Sequence, residues 1–223
     1  NNVAVGKTAL FANTTGAGNT ALGKDALVAN TTASNNTAVG HDALQANTTG
    51  TNNTALGAFT LDANTTGSQS TAIGANALTS ATAENNTAVG KSAMEATTTG
   101  TRNAGVGTNV LAANTTGGDN TALGAFALDA NTTASNNTAV GSRSLTANTT
   151  GNYNTAVGDQ TLVTCTSGVQ NTAVGQGALY SNTTHNCNAF GYNALLSNSS
   201  GSSNCAFGSH ALDNNTSGGS NTA

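Results

Sequence analysis

Asn36-Thr37-Ala38-Val39-Gly40 decides how this chain folds, because the same five-residue word returns almost every seventeenth residue from end to end. Its glycine falls at Gly6, Gly23, Gly40, Gly57, Gly74, Gly90, Gly107, Gly124, Gly141, Gly158, Gly175, Gly191 and Gly208. Ten of the twelve spacings are 17 residues; Gly74 to Gly90 and Gly175 to Gly191 are 16. A period this short marks a solenoid, in which each copy buries its apolar face only by stacking on the next.

Aligning the copies on that glycine sorts the chain into columns. One residue before it stand Val5, Leu22, Val39, Leu56, Ile73 and their equivalents, ending in Phe190 and Phe207. Two before it is Ala in every copy but one, where Gly105 stands; three before is mostly Thr, and four before mostly Asn. Four after it is always Leu, except Met94. Seven to nine after it read Asn-Thr-Thr in eight copies, as at Asn13-Thr14-Thr15. The 5 Lys+Arg and 9 Asp+Glu fall in only five other columns, such as those of Lys7, Asp25, Asp62 and Arg102. An unpaired buried charge is costly, so the sorting separates wet columns from buried ones.

Nothing apolar recurs within a copy at the i, i+3, i+4, i+7 spacing of an amphipathic helix, and Thr, Asn, Gly and Val favour extended structure with tight corners. The expectation is an all-β, parallel β-solenoid of about thirteen 17-residue coils, each with two short strands. In the first strand, Thr37 and Val39 point one way and Ala38 the other. Both faces carry repeated uncharged residues, which predicts burial on both sides. In the second strand, Leu44 and Ala46 share one face, Ala43 lies opposite, and Gln45 faces water. A lone coil needs only one inward face per strand, so a strand buried twice implies a neighbour, most simply identical chains around a common axis. Three or four apolar side chains per coil, worth about 1.5–3 kcal/mol for each large one, do not offset about 1–2 kcal/mol of backbone entropy per residue. Stacking and association supply the rest. Thirteen rungs at about 4.8 Å give a rod roughly 60 Å long.

Composition narrows the class. Charged residues make up 6% of the chain, against about 25% in an average soluble domain. The formal charge of −4 is small and scattered, and five basic residues do not make a nucleic-acid surface. No apolar run approaches the roughly 18 residues of a membrane span. The chain opens and closes inside a copy of the repeat, which reads as a single continuous array over residues 1–223, cut from a longer one. Cys165, Cys187 and Cys205 are an odd set without zinc spacing. Cys187 and Cys205 sit in adjacent columns that point to opposite faces, so thiols are expected rather than a bridge.

The Asn-(Asn/Ser)-x-Ala-(Val/Ile)-Gly word resembles the head repeats of YadA-like trimeric autotransporter adhesins. It is still more similar to the Asn-Thr-Ala-Val-Gly-x-x-Ala-Leu repeats of phage-type tail fibres and large bacterial surface proteins. The resemblance covers essentially the whole chain. It implies a homotrimeric fibre at a cell surface or on a virion, with the first strand lining the threefold axis. The coil is longer than in the adhesin heads, and Thr usually replaces their Val two residues before the aliphatic position.

Four groups of residues are candidates for function. Asn13, Asn30, Asn47, Asn64, Asn114, Asn131, Asn148, Asn182, Asn198 and Asn215 each begin an Asn-x-Thr/Ser acceptor pattern. They read either as a row of N-linked glycans along an extracellular filament or as a corner ladder satisfying backbone groups between coils. The Thr columns raise a repeated surface that binds ice or glycans. Against a flat ice face, the adjacent Thr-Thr pairs point to opposite sides and Thr37-type residues turn toward partners. Phe59, Phe126, Tyr153, Tyr180 and Tyr192 are scattered aromatics that could touch sugars. His41, His185 and His210 occupy unrelated columns with no recurring nucleophile or carboxylate pair, which argues against an enzyme. No metal or cofactor is implied; calcium-binding solenoids need an Asp in every copy. The reading is a structural shaft or spacer segment of an extracellular or virion fibre, self-associating, that projects or attaches.

Overall fold

The computed structural model describes residues 1–223 and contains β-strands, turns and no helix. It forms two compact units, Asn1–Thr116 and Gly117–Ala223. Nothing in the repeat announces a division there, since Gly107 and Gly124 keep the 17-residue spacing.

The first unit holds β1 (Val3–Val5), β2 (Thr20–Leu22), β3 (Thr37–Val39), β4 (Thr54–Leu56), β5 (Thr71–Ile73), β6 (Thr87–Val89) and β7 (Ala104–Val106). The second holds β8 (Thr121–Leu123), β9 (Thr138–Val140), β10 (Thr155–Val157), β11 (Thr172–Val174), β12 (Asn188–Phe190) and β13 (Cys205–Phe207). Within each unit every strand pairs in parallel with the next, column on column: Ala38 lies against Ala21 and Ala55, and Ala156 against Ala139 and Ala173. This is a parallel β-solenoid. The two 16-residue coils keep the register, with Thr71 opposite Thr87 and Val174 opposite Phe190. Their missing residue is taken out at the corners near Ala81 and Thr184, not in the strands.

The expected second strand is absent. The segment after each glycine is a run of tight turns, with a left-handed residue two and again four positions on: Asp25 at φ 56° and Leu27 at 52°, Asp42 at 56° and Leu44 at 51°. Val28 N–H donates to the Asp25 carbonyl (3.2 Å) and Asn30 N–H to the Leu27 carbonyl (3.1 Å), three residues back each time. The alternate amides reach neighbouring coils, Asp25 N–H to Lys7 O (2.9 Å) and Leu27 N–H to Ala43 O (3.1 Å). Turns that repeat every two residues reproduce the parity of a strand, which is why the pattern reads as one. Their side chains go elsewhere. Ala43 and Leu44 are both fully buried, while Ala46 is only half-buried.

The core therefore has three contributors per coil: the central Ala of the strand, the Ala three after the glycine and the Leu four after it, as in Ala38, Ala43 and Leu44. The space is shared rather than assigned. Where Val110 takes the place of that second Ala and Met94 that of a Leu, the strand residue shrinks to Gly105; a Cβ there would meet Val110 Cγ1 at 3.0 Å and Met94 Cε at 3.1 Å. Close packing at constant volume explains the single break in the Ala column.

The strand's other face is uncovered. Leu22, Leu56 and Leu123 are 46%, 45% and 48% exposed, and Val39, Val140 and Val157 are half-buried. The expectation that the strand is buried on both sides is met by the chain itself on the Ala side only.

Candidate functional site

The repeat glycine sets the corner from which the rest follows. All thirteen have φ between +120° and +144°. At Gly40 a Cβ would fall well inside contact distance of the Gly57 carbonyl oxygen and 2.5 Å from its carbon, both backbone atoms that cannot swing aside. The glycines are structural because rungs must touch there.

The asparagines of the acceptor pattern form a ladder inside the solenoid. Asn30 Nδ2 donates to Asn13 Oδ1 (3.0 Å), Asn47 Nδ2 to Asn30 Oδ1 (2.9 Å) and Asn64 Nδ2 to Asn47 Oδ1 (3.0 Å). Each amide also donates to the carbonyl three residues on, at Ala33, Gly50 and Gly67. The second unit repeats this from Asn148 to Asn131 (3.1 Å) and from Asn198 to Asn182 (2.8 Å). Asn30, Asn47, Asn64, Asn114, Asn131, Asn148, Asn182 and Asn198 are fully buried, and Asn13 and Asn215 half-buried. A sugar on Nδ2 needs a route to solvent, which the enclosed amides lack. The geometry supports the corner-ladder reading of this column. Where Ala81 interrupts it, Asn64 Oδ1 is left without a partner.

A second asparagine ladder, unforeseen, stands four residues before the repeat glycines, broken only by Ser70 and Cys187. Asn53 N–H donates to Asn36 Oδ1 (2.9 Å), and Asn36 Nδ2 to the Gly50 carbonyl (2.9 Å). Asn154 and Asn171 repeat it in the second unit. The recurrence of Asn in this column was its only signal. The Thr eight after the glycine also spends its hydroxyl between coils, as Thr48 Oγ1 does on the Thr65 carbonyl (3.0 Å).

The titratable groups lie along the turns, and they come closest to a cluster in the first unit, where Lys24 Nζ stands 3.3 Å from His41 Nε2 of the next coil. Lys24 pairs with Asp25 at 2.6 Å, His41 with Asp42 at 3.2 Å, and His210 with Asp213 at 3.1 Å. The Lys24 contact, helped by the Thr8 hydroxyl, holds the Asp25 carboxyl below its ordinary value. Asp62 is pushed the other way, by partial burial first and then by Asp42. His185 accepts from Val169 N–H at 3.0 Å and stands apart from both other histidines' partners. No three His, Cys, Asp or Glu side chains come together as a metal site.

All three cysteines are free thiols. Cys165 and Cys187 are buried in the two asparagine columns, and burial pushes the Cys165 thiol up to about 11. Cys205 lies in the Thr column of the same strand as Phe207, whose ring stacks on that of Phe190 with centroids 4.7 Å apart. Tyr153 and Tyr192 are exposed, Tyr180 is half-buried, and Phe59 stands edge-on to His41 at 5.2 Å.

The one extended, repeated surface that the fold leaves unspent is thus the outer face of the strands: aliphatic one residue before the glycine, Thr three before, without charge. Comparison with protein-family models, with curated proteins and with solved structures gives no match. What the structure defines is a class of fold, a parallel β-solenoid built from tandem short repeats. No helix is long and apolar enough to cross a membrane.

Proposed function

We propose that this chain is a structural shaft or spacer segment of an extracellular or virion fibre, in which identical copies pack their strand faces around a common axis as a homotrimer. The supporting observation is the uncovered, chargeless strand face that each unit presents, with Leu22 and Leu56 beside Thr37-type hydroxyls in the first and Leu123 in the second. Contiguous exposed apolar surface marks an association site. A partner for a face that repeats once per rung must itself repeat at the same spacing, and a second copy of the chain does so by construction. Such a segment projects or attaches whatever adjoins it; the uniform coils supply stiffness. Sedimentation equilibrium of residues 1–223 tests this directly: three chain masses are expected, and a monodisperse monomer at micromolar concentration would overturn it.

A second reading belongs to the same face. Thr37, Thr54 and Thr71 lie on the uncovered side, and their hydroxyls make no bond within the chain, so they present a regular array to water, as an ice-binding surface requires. Thermal hysteresis from a monomer selects that reading over the fibre.

A further inference from the structure

We infer that the second unit carries a binding pocket for a neutral saccharide, centred on Gly177 and Tyr180. A groove of about 380 Å³ opens on the turn side, where three successive coils contribute to its wall. Its origin is one missing side chain. Two residues after the repeat glycine the other coils carry a side chain, as at Asp25, Phe59, Asn76, Gln160 and Asn193; Gly177 alone has none. Backbone does not demand this glycine. Its φ of +69° is close to the 52–61° that side-chain-bearing members of the column adopt without difficulty. The glycine therefore serves space. Into that space leans the Asn193 side chain, whose Oδ1 sits where a Cβ on residue 177 would be, with Leu196 Cδ1 only 3.6 Å from the same point.

The lining chooses the ligand class. Tyr180 and Leu196 occupy the same column of adjacent coils and give the groove an apolar wall of one aromatic ring beside one aliphatic chain. Gln160, Gln176 and Asn193 bring primary amides to its rim, and no charged side chain lines it. The amides of Gln176 and Asn193 and the Tyr180 hydroxyl make no hydrogen bond inside the protein, unlike the buried asparagines, whose amides are spent on ladders. Free amide donors and acceptors around an aromatic ring match a ligand that presents hydroxyls at its edge and C–H groups on its face. A pyranose ring has this character, and the absence of charge selects a neutral one. The site is local to these coils, so it stands independently of the fibre reading.

The test uses the full chain with maltose, cellobiose and lactose as neutral probes and N-acetylneuraminic acid as the charged control, read by saturation-transfer NMR and calorimetry. Saturation transfer to at least one neutral disaccharide is expected. Two variants locate it. Gly177→Asn restores the side chain of the neighbouring coils and should abolish binding. Tyr180→Thr, the residue at the equivalent Thr79, should weaken binding about tenfold or more. Tyr180→Thr should keep the parent's thermal midpoint, and Gly177→Asn should stay close to it, because the atom it displaces is the movable tip of Asn193 and Asn is already used in that column. Binding of the acid alone, binding that Gly177→Asn leaves unchanged, or no transfer from any neutral probe overturns the proposal.

Discussion

Asn47 shows how the solenoid satisfies its interior. One amide donates to Asn30 Oδ1 and the Gly50 carbonyl and accepts from Asn64 Nδ2, all within 3.0 Å and out of water. Truncation removes every one of these at once, and buried polar groups left without partners cost more than a typical bond contributes. Asn47→Ala should destabilise the chain by about 2–4 kcal/mol, seen as a lower thermal midpoint by circular dichroism. Asn47→Thr or Asn47→Ala with equal stability to the parent would remove the ladder from the account. Asp62 makes the opposite kind of prediction. Its folded carboxyl titrates higher than in the unfolded chain because partial burial and the neighbouring Asp42 disfavour its charge. The folded state thus binds the proton more tightly, and the benefit is present below the unfolded value and lost as pH rises through the folded one. Asp62→Asn should therefore be more stable than the parent at pH 7, by under about 1 kcal/mol given its exposure, with the gap closing near pH 3. Parallel midpoint curves of the two proteins from pH 3 to 8 check it; a gap that widens toward low pH contradicts the assignment.

The coil is the next scale, and here the legible and the illegible parts separate by cause. The first strand, its register and the glycine corner followed from recurrence alone, because a column repeated thirteen times without charge has few places to go. The Leu44 segment did not. Leu at φ 51° is a conformation that costs a bulky L-residue about 1–2 kcal/mol, so no propensity scale points to it. Stacking overrides the preference: burying Leu44 and Ala43 together returns more than the left-handed backbone costs, and turns of period two leave the same alternation as a strand. The inner asparagine column was equally opaque, since Asn reads as a corner residue before it reads as a buried one. Gly40 tests the coil's tightest point. Gly40→Ala places a methyl against the Gly57 carbonyl at φ +141°, where neither neighbour can move without shifting a rung. A loss of roughly 3 kcal/mol or more is expected from strain plus overlap. Gly177→Ala, at a similar sign of φ but against a movable side-chain tip, should cost far less. Equal midpoints for the two variants would show that rung contact is not what selects the repeat glycine.

At the scale of the molecule, the open matter is what covers the strand face, and mass action gives a way to ask. If copies bury Leu56 and its column against each other, the folded state is linked to association, and the thermal midpoint rises with protein concentration. A monomer whose strand face stays in water shows one midpoint at every concentration. Leu56→Lys separates these cases. Its side chain is 45% exposed in the single chain, so a lysine there reaches water and leaves a monomer's stability within about 0.5 kcal/mol. In the packed assembly the same lysine meets its own copies near the axis, where like charges and lost water act together. The fibre reading expects the parent to melt at higher temperature as concentration rises from 1 to 100 times a micromolar start, and Leu56→Lys to lose both that dependence and the trimer mass. Thr54→Lys, on the same face two residues away, should behave alike; Ser68→Lys, on the corner, should change neither. Concentration-independent melting of the parent, with Leu56→Lys indistinguishable from it, would mean the face works uncovered, and the hydroxyl array on water would then be the better account of why its Thr column repeats.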